Sequence, residues 1–192
     1  MNAKRNWELL YPERQELMDI FHDLYRLNHI IKRGLPDVWE DPWFLGLRIN
    51  PILLRLMSIY DTERSVSIMK TESSVENILR LAALVYLGDV RIKFMVYHVT
   101  GYHFIENIKI ALRSDFVEWN GFLDLRLWAL VVAAVKASSA DRSFFIGEIR
   151  RTMEALLIIR WTETMEIITS FLWIEEIYGV RARELGEQVT RL

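Results

Sequence analysis

Residues 127–135 read Leu-Trp-Ala-Leu-Val-Val-Ala-Ala-Val, an apolar run with no polar break. A helix that is apolar on every side needs neighbours on every side, because any bare face would leave oily surface in water. The segment therefore demands a surrounding shell, and the rest of the chain supplies one in helical form. Apolar residues recur at spacings of three and four almost throughout, while the period-two alternation of half-buried strands is almost absent. The run is far short of the ~20 residues that cross a bilayer, so it reads as a core helix and no membrane association is expected.

The shell can be followed along the chain. Pro12 suits a first helical position, with Glu13 and Glu16 near the positive end of the helix. The stripe Leu17, Ile20, Phe21, Leu24, Leu27 and Ile31 follows, and Gly34 with Pro36 closes it. A loop rich in Pro and Trp covers residues 34–46. Asn50-Pro51 predicts an N-cap and a helix through Leu53, Leu54, Met57 and Tyr60. Ser73-Ser-Val-Glu76 has the spacing of a capping box, opening a helix through Ile78, Leu79, Leu81, Ala82, Leu84, Val85 and Tyr86 that Gly88 would interrupt. An amphipathic segment spans residues 102–113, and the central buried helix covers 121–137. Asp141 and Thr162 are placed to cap two more helices, and a more polar one covers 177–189. No repeat or linker divides the 192 residues. The expectation is an all-α fold: one compact domain, residues 1–192, of about seven or eight orthogonally packed helices.

Composition narrows the function. A hydrophobic share of 52% rules out a disordered tail. Basic and acidic residues number 24 and 26 with no basic stripe, so direct nucleic-acid binding is not expected, since phosphate contacts carry most of that affinity. Lys4-Arg5, Lys32-Arg33 and Arg150-Arg151 read as solvated helix ends. There is no cysteine, hence no disulfide and no thiol nucleophile, which fits an intracellular protein, cytoplasmic or nuclear. The N-terminus has no apolar stretch of signal-peptide length.

Three separated elements carry a family likeness. Leu125-Arg-Leu-Trp-Ala-Leu-Val-Val-Ala-Ala is followed by Asp141-Arg-Ser-Phe-Phe, then by Trp161-Thr-Glu-Thr-Met-Glu and Phe171-Leu-Trp-Ile. In this order they resemble the helical regulatory domain of fungal zinc-cluster transcription factors, and Arg80-Leu-Ala-Ala-Leu-Val-Tyr-Leu looks like an earlier helix of that domain. The resemblance implies a helical domain over a small-molecule or effector pocket, in proteins that govern metabolic genes. The six-cysteine zinc cluster that reads DNA in those proteins is missing, because thiolates would have to bind the zinc.

No phosphate-cradling Gly-rich loop, His-Glu-x-x-His helix or Gly-x-Ser-x-Gly elbow occurs, and nothing suggests a cofactor. His22 and His29 lie two helical turns apart, too far for one metal, and read as exposed; no metal site is expected. The densest cluster of hydrogen-bonding groups is Tyr97-His-Val-Thr-Gly-Tyr-His, which is either an interhelix turn or the polar mouth of a pocket. Arg91, Lys93, Asp124, Arg126 and Glu154 interrupt apolar sequence and read as edge residues; one found buried would be a site candidate. The candidate catalytic residues are His98, Tyr97 and Arg91. Met57, Tyr60, Tyr86, His103, Trp128 and Trp161 are candidate ligand contacts, against the alternative that the rings and methionines simply fill the core.

Two functions follow. In the first, a stand-alone protein of fungal secondary metabolism binds a hydrophobic metabolite and promotes a cofactor-free cyclisation or isomerisation, gaining rate from orientation and from a donor that polarises a carbonyl. In the second, a non-catalytic co-regulator binds a metabolite or a protein partner without touching DNA. The first is preferred, because losing the DNA reader removes the family's usual purpose. The second needs an exposed apolar stripe for a homodimer or partner surface, and Ile177, Val180, Leu185 and Val189 in the last helix are the stripe available.

Overall fold

The apolar run is the centre of the molecule. Leu125 and every residue from 127 to 135 are buried in a helix, Leu123–Lys136. The computed structural model describes residues 15–66, 74–96, 101–113, 119 and 121–191. Among them are eight α-helices and no strand: α1 (Gln15–Gly34), α2 (Asn50–Val66), α3 (Ser74–Lys93), α4 (Gly101–Leu112), α5 (Leu123–Lys136), α6 (Ser139–Ala155), α7 (Trp161–Ser170) and α8 (Glu175–Thr190). The fold is all-α. Helix α5 packs against α3, α4, α6, α7 and α8, while α3 packs against α2, α4 and α5, and α1 closes over α2. At the heart, the Trp128 indole meets Phe21 and Phe171 edge-on, at ring separations of 5.7 and 5.4 Å, and donates its N–H to the Leu172 carbonyl at 2.9 Å.

Several local expectations change. Helix α1 ends at Gly34 with its stripe buried as read, while Pro12 and Glu13 lie outside the described residues. The loop after α1 holds a 3-10 turn (Asp37–Glu40) and a π-helical turn (Leu45–Ile49) that runs straight into α2. Asn50 therefore has a helical backbone, whereas an N-cap requires a non-helical one, and its side-chain oxygen is buried without a partner. The buried face of α2 is Ile52, Leu56 and Ile59, continuing from Ile49 in the turn before it; Leu54 and Met57 of the expected stripe are exposed. Apolar residues occur on two faces of α2, and only its neighbours decide which face is inside. Ser73 of the expected capping box lies outside the described residues. Helix α3 passes through Gly88 unbroken to Lys93, because buried side chains on both sides of the glycine hold the helix.

The caps sit two or three residues before their expected places. Ser138, not Asp141, caps α6, its hydroxyl oxygen accepting from the Asp141 N–H at 3.2 Å. Glu163 closes the start of α7 by accepting from the Arg160 N–H at 3.0 Å, and Thr162 falls inside the first turn. Helix α8 packs back onto α6 and α7. Leu185 and Val189 of its expected partner stripe are buried, leaving Val180 exposed on its own. Gly186 allows this approach: a Cβ there would lie 2.4 Å from the Trp161 ring.

Asp141 also ties α6 to α4 through an ion pair with Lys109. The Lys109 hydrogen bond, with help from the Ser138 hydroxyl, holds the Asp141 carboxyl below its usual 3.8. A depressed carboxylate stabilises the fold above its unfolded-state value and ceases to do so as pH falls through its folded-state value. Asp141→Asn should thus lower the urea midpoint at about pH 6 and match the unsubstituted chain near pH 2. A deficit of equal size at both pH values would remove Asp141 from the acid response.

Candidate functional site

The second half of α3 has two unlike faces. Leu84, Val85, Gly88, Asp89, Arg91 and Ile92 fall within one side of the helix, since residues three and four apart are neighbours. With Leu53 and Met57 of α2 and Gly101, Tyr102, Phe104 and Ile105 of α4, they line a cavity of about 330 Å³. Lys136, the last residue of α5, and Arg181 of α8 reach its polar end. Met57, Ile92 and Tyr102 are exposed and form an apolar rim. Gly88 contributes room: a Cβ built there meets no atom within 4 Å.

The polar end is a small charged network. Asp89 is buried, and its Oδ1 pairs with Lys136 Nζ at 2.6 Å. Burial raises the Asp89 pKa; the Lys136 hydrogen bond and charge, then the Tyr178 hydroxyl and Arg181, pull it back. Oδ2 has no hydrogen-bond partner while the Tyr178 hydroxyl gives its one hydrogen to the Tyr86 carbonyl, a long bond of 3.4 Å. A hydroxyl serves one acceptor at a time and rotates freely, so turning it toward Asp89 accounts for its effect on that carboxyl. Burial, followed by the charge of Asp89, pushes the Tyr178 hydroxyl well above its usual range, so it stays protonated.

Arg91 is the unusual member. Its Nε and Nη1 are both buried and have no acceptor, and burial lowers its pKa. A guanidinium does not give up its proton in a protein, so it remains a cation with donors unmet. It is therefore an interrupting charge that is half-buried rather than at a free edge. Glu154, Asp124 and Lys93 are exposed. Arg126 is half-buried but answered by the buried Glu148 at 2.6 Å.

Of the candidate site residues that are described, the fold brings Arg91 and Met57 to this cavity and leaves Tyr86, His103, Trp128 and Trp161 elsewhere. Tyr86 points to the opposite face of α3, into the core, donating to Asn28 Oδ1 at 2.7 Å and stacking on Tyr178. Trp128 is the core centre described above. Trp161 packs on Gly186, away from the cavity. His103 is exposed on the side of α4 turned from the lining residues, and His22 and His29 are exposed on α1. Tyr97, His98 and the side chain of Tyr60 lie outside the described residues. Sequence reading missed Asp89, Lys136 and Arg181. Asp89 did carry a signal, as a carboxylate directly following a long buried run, but only the packing of α5 and α8 brings the two cations to it. Among the described residues no group of three or more metal-ligating side chains gathers, and no helix is long and apolar enough to cross a membrane. The chain matches no family model, no curated protein and no solved structure.

Proposed function

We propose that this chain binds a hydrophobic small molecule in the cavity between α2, α3 and α4. Ligand sites are typically ~300–1,000 Å³, mostly apolar, with a few polar groups that fix orientation. The cavity has that make-up, and the observation that carries the reading is Arg91: two buried nitrogens without acceptors, beside a mostly apolar wall. Native proteins rarely leave buried donors unmet, and a ligand oxygen would meet these. The likeness to the regulatory domain of fungal zinc-cluster factors supports the same reading, and it alone suggests an intracellular setting in fungal secondary metabolism.

A second reading, turnover of the ligand by cofactor-free cyclisation or isomerisation, draws on the same guanidinium. A half-buried cation aimed at a carbonyl would stabilise negative charge developing on its oxygen. The described lining holds no histidine, and its one carboxylate is tied to Lys136, so proton transfer has little support there. Binding is therefore the conclusion, and turnover its extension.

One experiment serves both readings. The protein is incubated with an extract rich in polyketide and terpenoid intermediates, then examined by native mass spectrometry, with chromatography of the released species. A retained species returned unchanged is the expected result. A released species of unaltered mass and shifted retention, absent with heat-treated protein, would establish turnover. Retention of nothing would sink the ligand site.

A further inference from the structure

Arg91, Lys136 and Arg181 bring three cationic groups to one end of the cavity, against the single carboxylate of Asp89. Lys136 is committed to Asp89. Among the described residues, Arg91 and Arg181 have no ion-pair partner, and Arg181 acts on Asp89 only through space. Positive charge is therefore left over at the polar end, on the exposed Arg181 and the half-buried Arg91. Part of it belongs to a guanidinium with two buried donors and no acceptor. Burying donors without an acceptor is unfavourable, and an anionic ligand group at this end would answer the surplus positive charge.

Resting on the cavity being a ligand site, we infer that its ligand is an amphipathic monocarboxylate, with the carboxylate on Arg91 and the apolar body along Leu53, Leu84, Val85 and Ile105. A planar guanidinium matches a planar carboxylate through paired N–H···O bonds. Asp89 favours a single negative charge over two, because its carboxylate lies in the same low-dielectric end and would repel a doubly charged phosphate more strongly. The volume of about 330 Å³ is near the lower bound for ligand sites, so the apolar body is short.

The test is calorimetric titration of the full chain with octanoate, 1-octanol and octyl phosphate, repeated with Arg91→Met and Arg91→Lys. Octanoate should bind at least about tenfold more tightly than octanol, the worth of a charged hydrogen bond. Arg91→Met should weaken octanoate about ten- to hundredfold while moving octanol less than about threefold, and Arg91→Lys should fall between. The wild-type comparison of octanoate with octanol stands even if a variant fails to fold, which a thermal melt would reveal. Octanol binding as tightly as octanoate would overturn the carboxylate assignment and leave an apolar ligand site. Octyl phosphate binding more tightly than octanoate would overturn it as well. Binding of none of the three would sink the assignment and the ligand site together.

Discussion

Replacing Trp128 by alanine should cost about 3–5 kcal/mol, the range for removing a large aromatic side chain from a packed core. The indole is fully buried, touches Phe21, Phe171 and Tyr86, and ties α5 to the chain between α7 and α8 through the Leu172 carbonyl. Against a total stability of about 5–15 kcal/mol, that loss leaves a marginal protein. Urea denaturation at matched slope gives the number directly. Trp128→Phe separates the contributions: much of the ring packing remains, while the Leu172 carbonyl loses its donor, at about 1–3 kcal/mol. Octanoate affinity should stay unchanged in Trp128→Phe, because the indole is not part of the cavity wall. A cost below about 1.5 kcal/mol for Trp128→Ala would mean that the core is not centred on this residue.

Gly88→Leu should do the reverse, leaving the fold intact and removing binding. Glycine inside a helix costs about 0.5–1 kcal/mol relative to alanine, so a side chain with good helix propensity at this position should hold or raise the melting temperature. The new side chain would start where a Cβ meets nothing within 4 Å and extend into the cavity. Affinity for both octanoate and octanol should fall about a hundredfold, which corresponds to roughly 2.7 kcal/mol. Gly88→Ala is the control, expected to be more stable with most binding kept. Loss of both ligands marks a filled cavity, whereas Arg91→Met should spare octanol. Full binding by a folded Gly88→Leu protein would place the ligand elsewhere.

The sequence by itself determined the fold class and the centre of the core. An apolar run from Leu127 to Val135 can be satisfied only by burial on all sides, and 3.6-residue periodicity in the flanking segments leaves helices as the material around it. It determined the stripe of α1 for the same reason, since that helix is apolar on one face and charged on the other. Where a helix is apolar on two faces, periodicity stops deciding. In α2 the burial of Ile52 and Leu56 and the exposure of Leu54 and Met57 were settled by what α1 and α3 present. Caps shifted by a few residues because Ser138, Asp141, Arg160 and Glu163 offer several local pairings, and only the path of the chain selects one.

The candidate site was less legible, because a cavity is a property of several helices at once. Tyr86 and His103 carry suitable chemistry and sit within two residues of lining positions, yet each is turned away by its helical phase. Arg91 was readable as a charge in an apolar stretch, but the absence of any partner for it could be seen only in three dimensions. Asp89, Lys136 and Arg181 are far apart in the chain and meet because α5 ends, and the first half of α8 passes, near this part of α3. Local patterning chose the helices, and long-range packing chose which charges were left unanswered, since an ion pair or its absence depends on distances that sequence spacing does not encode.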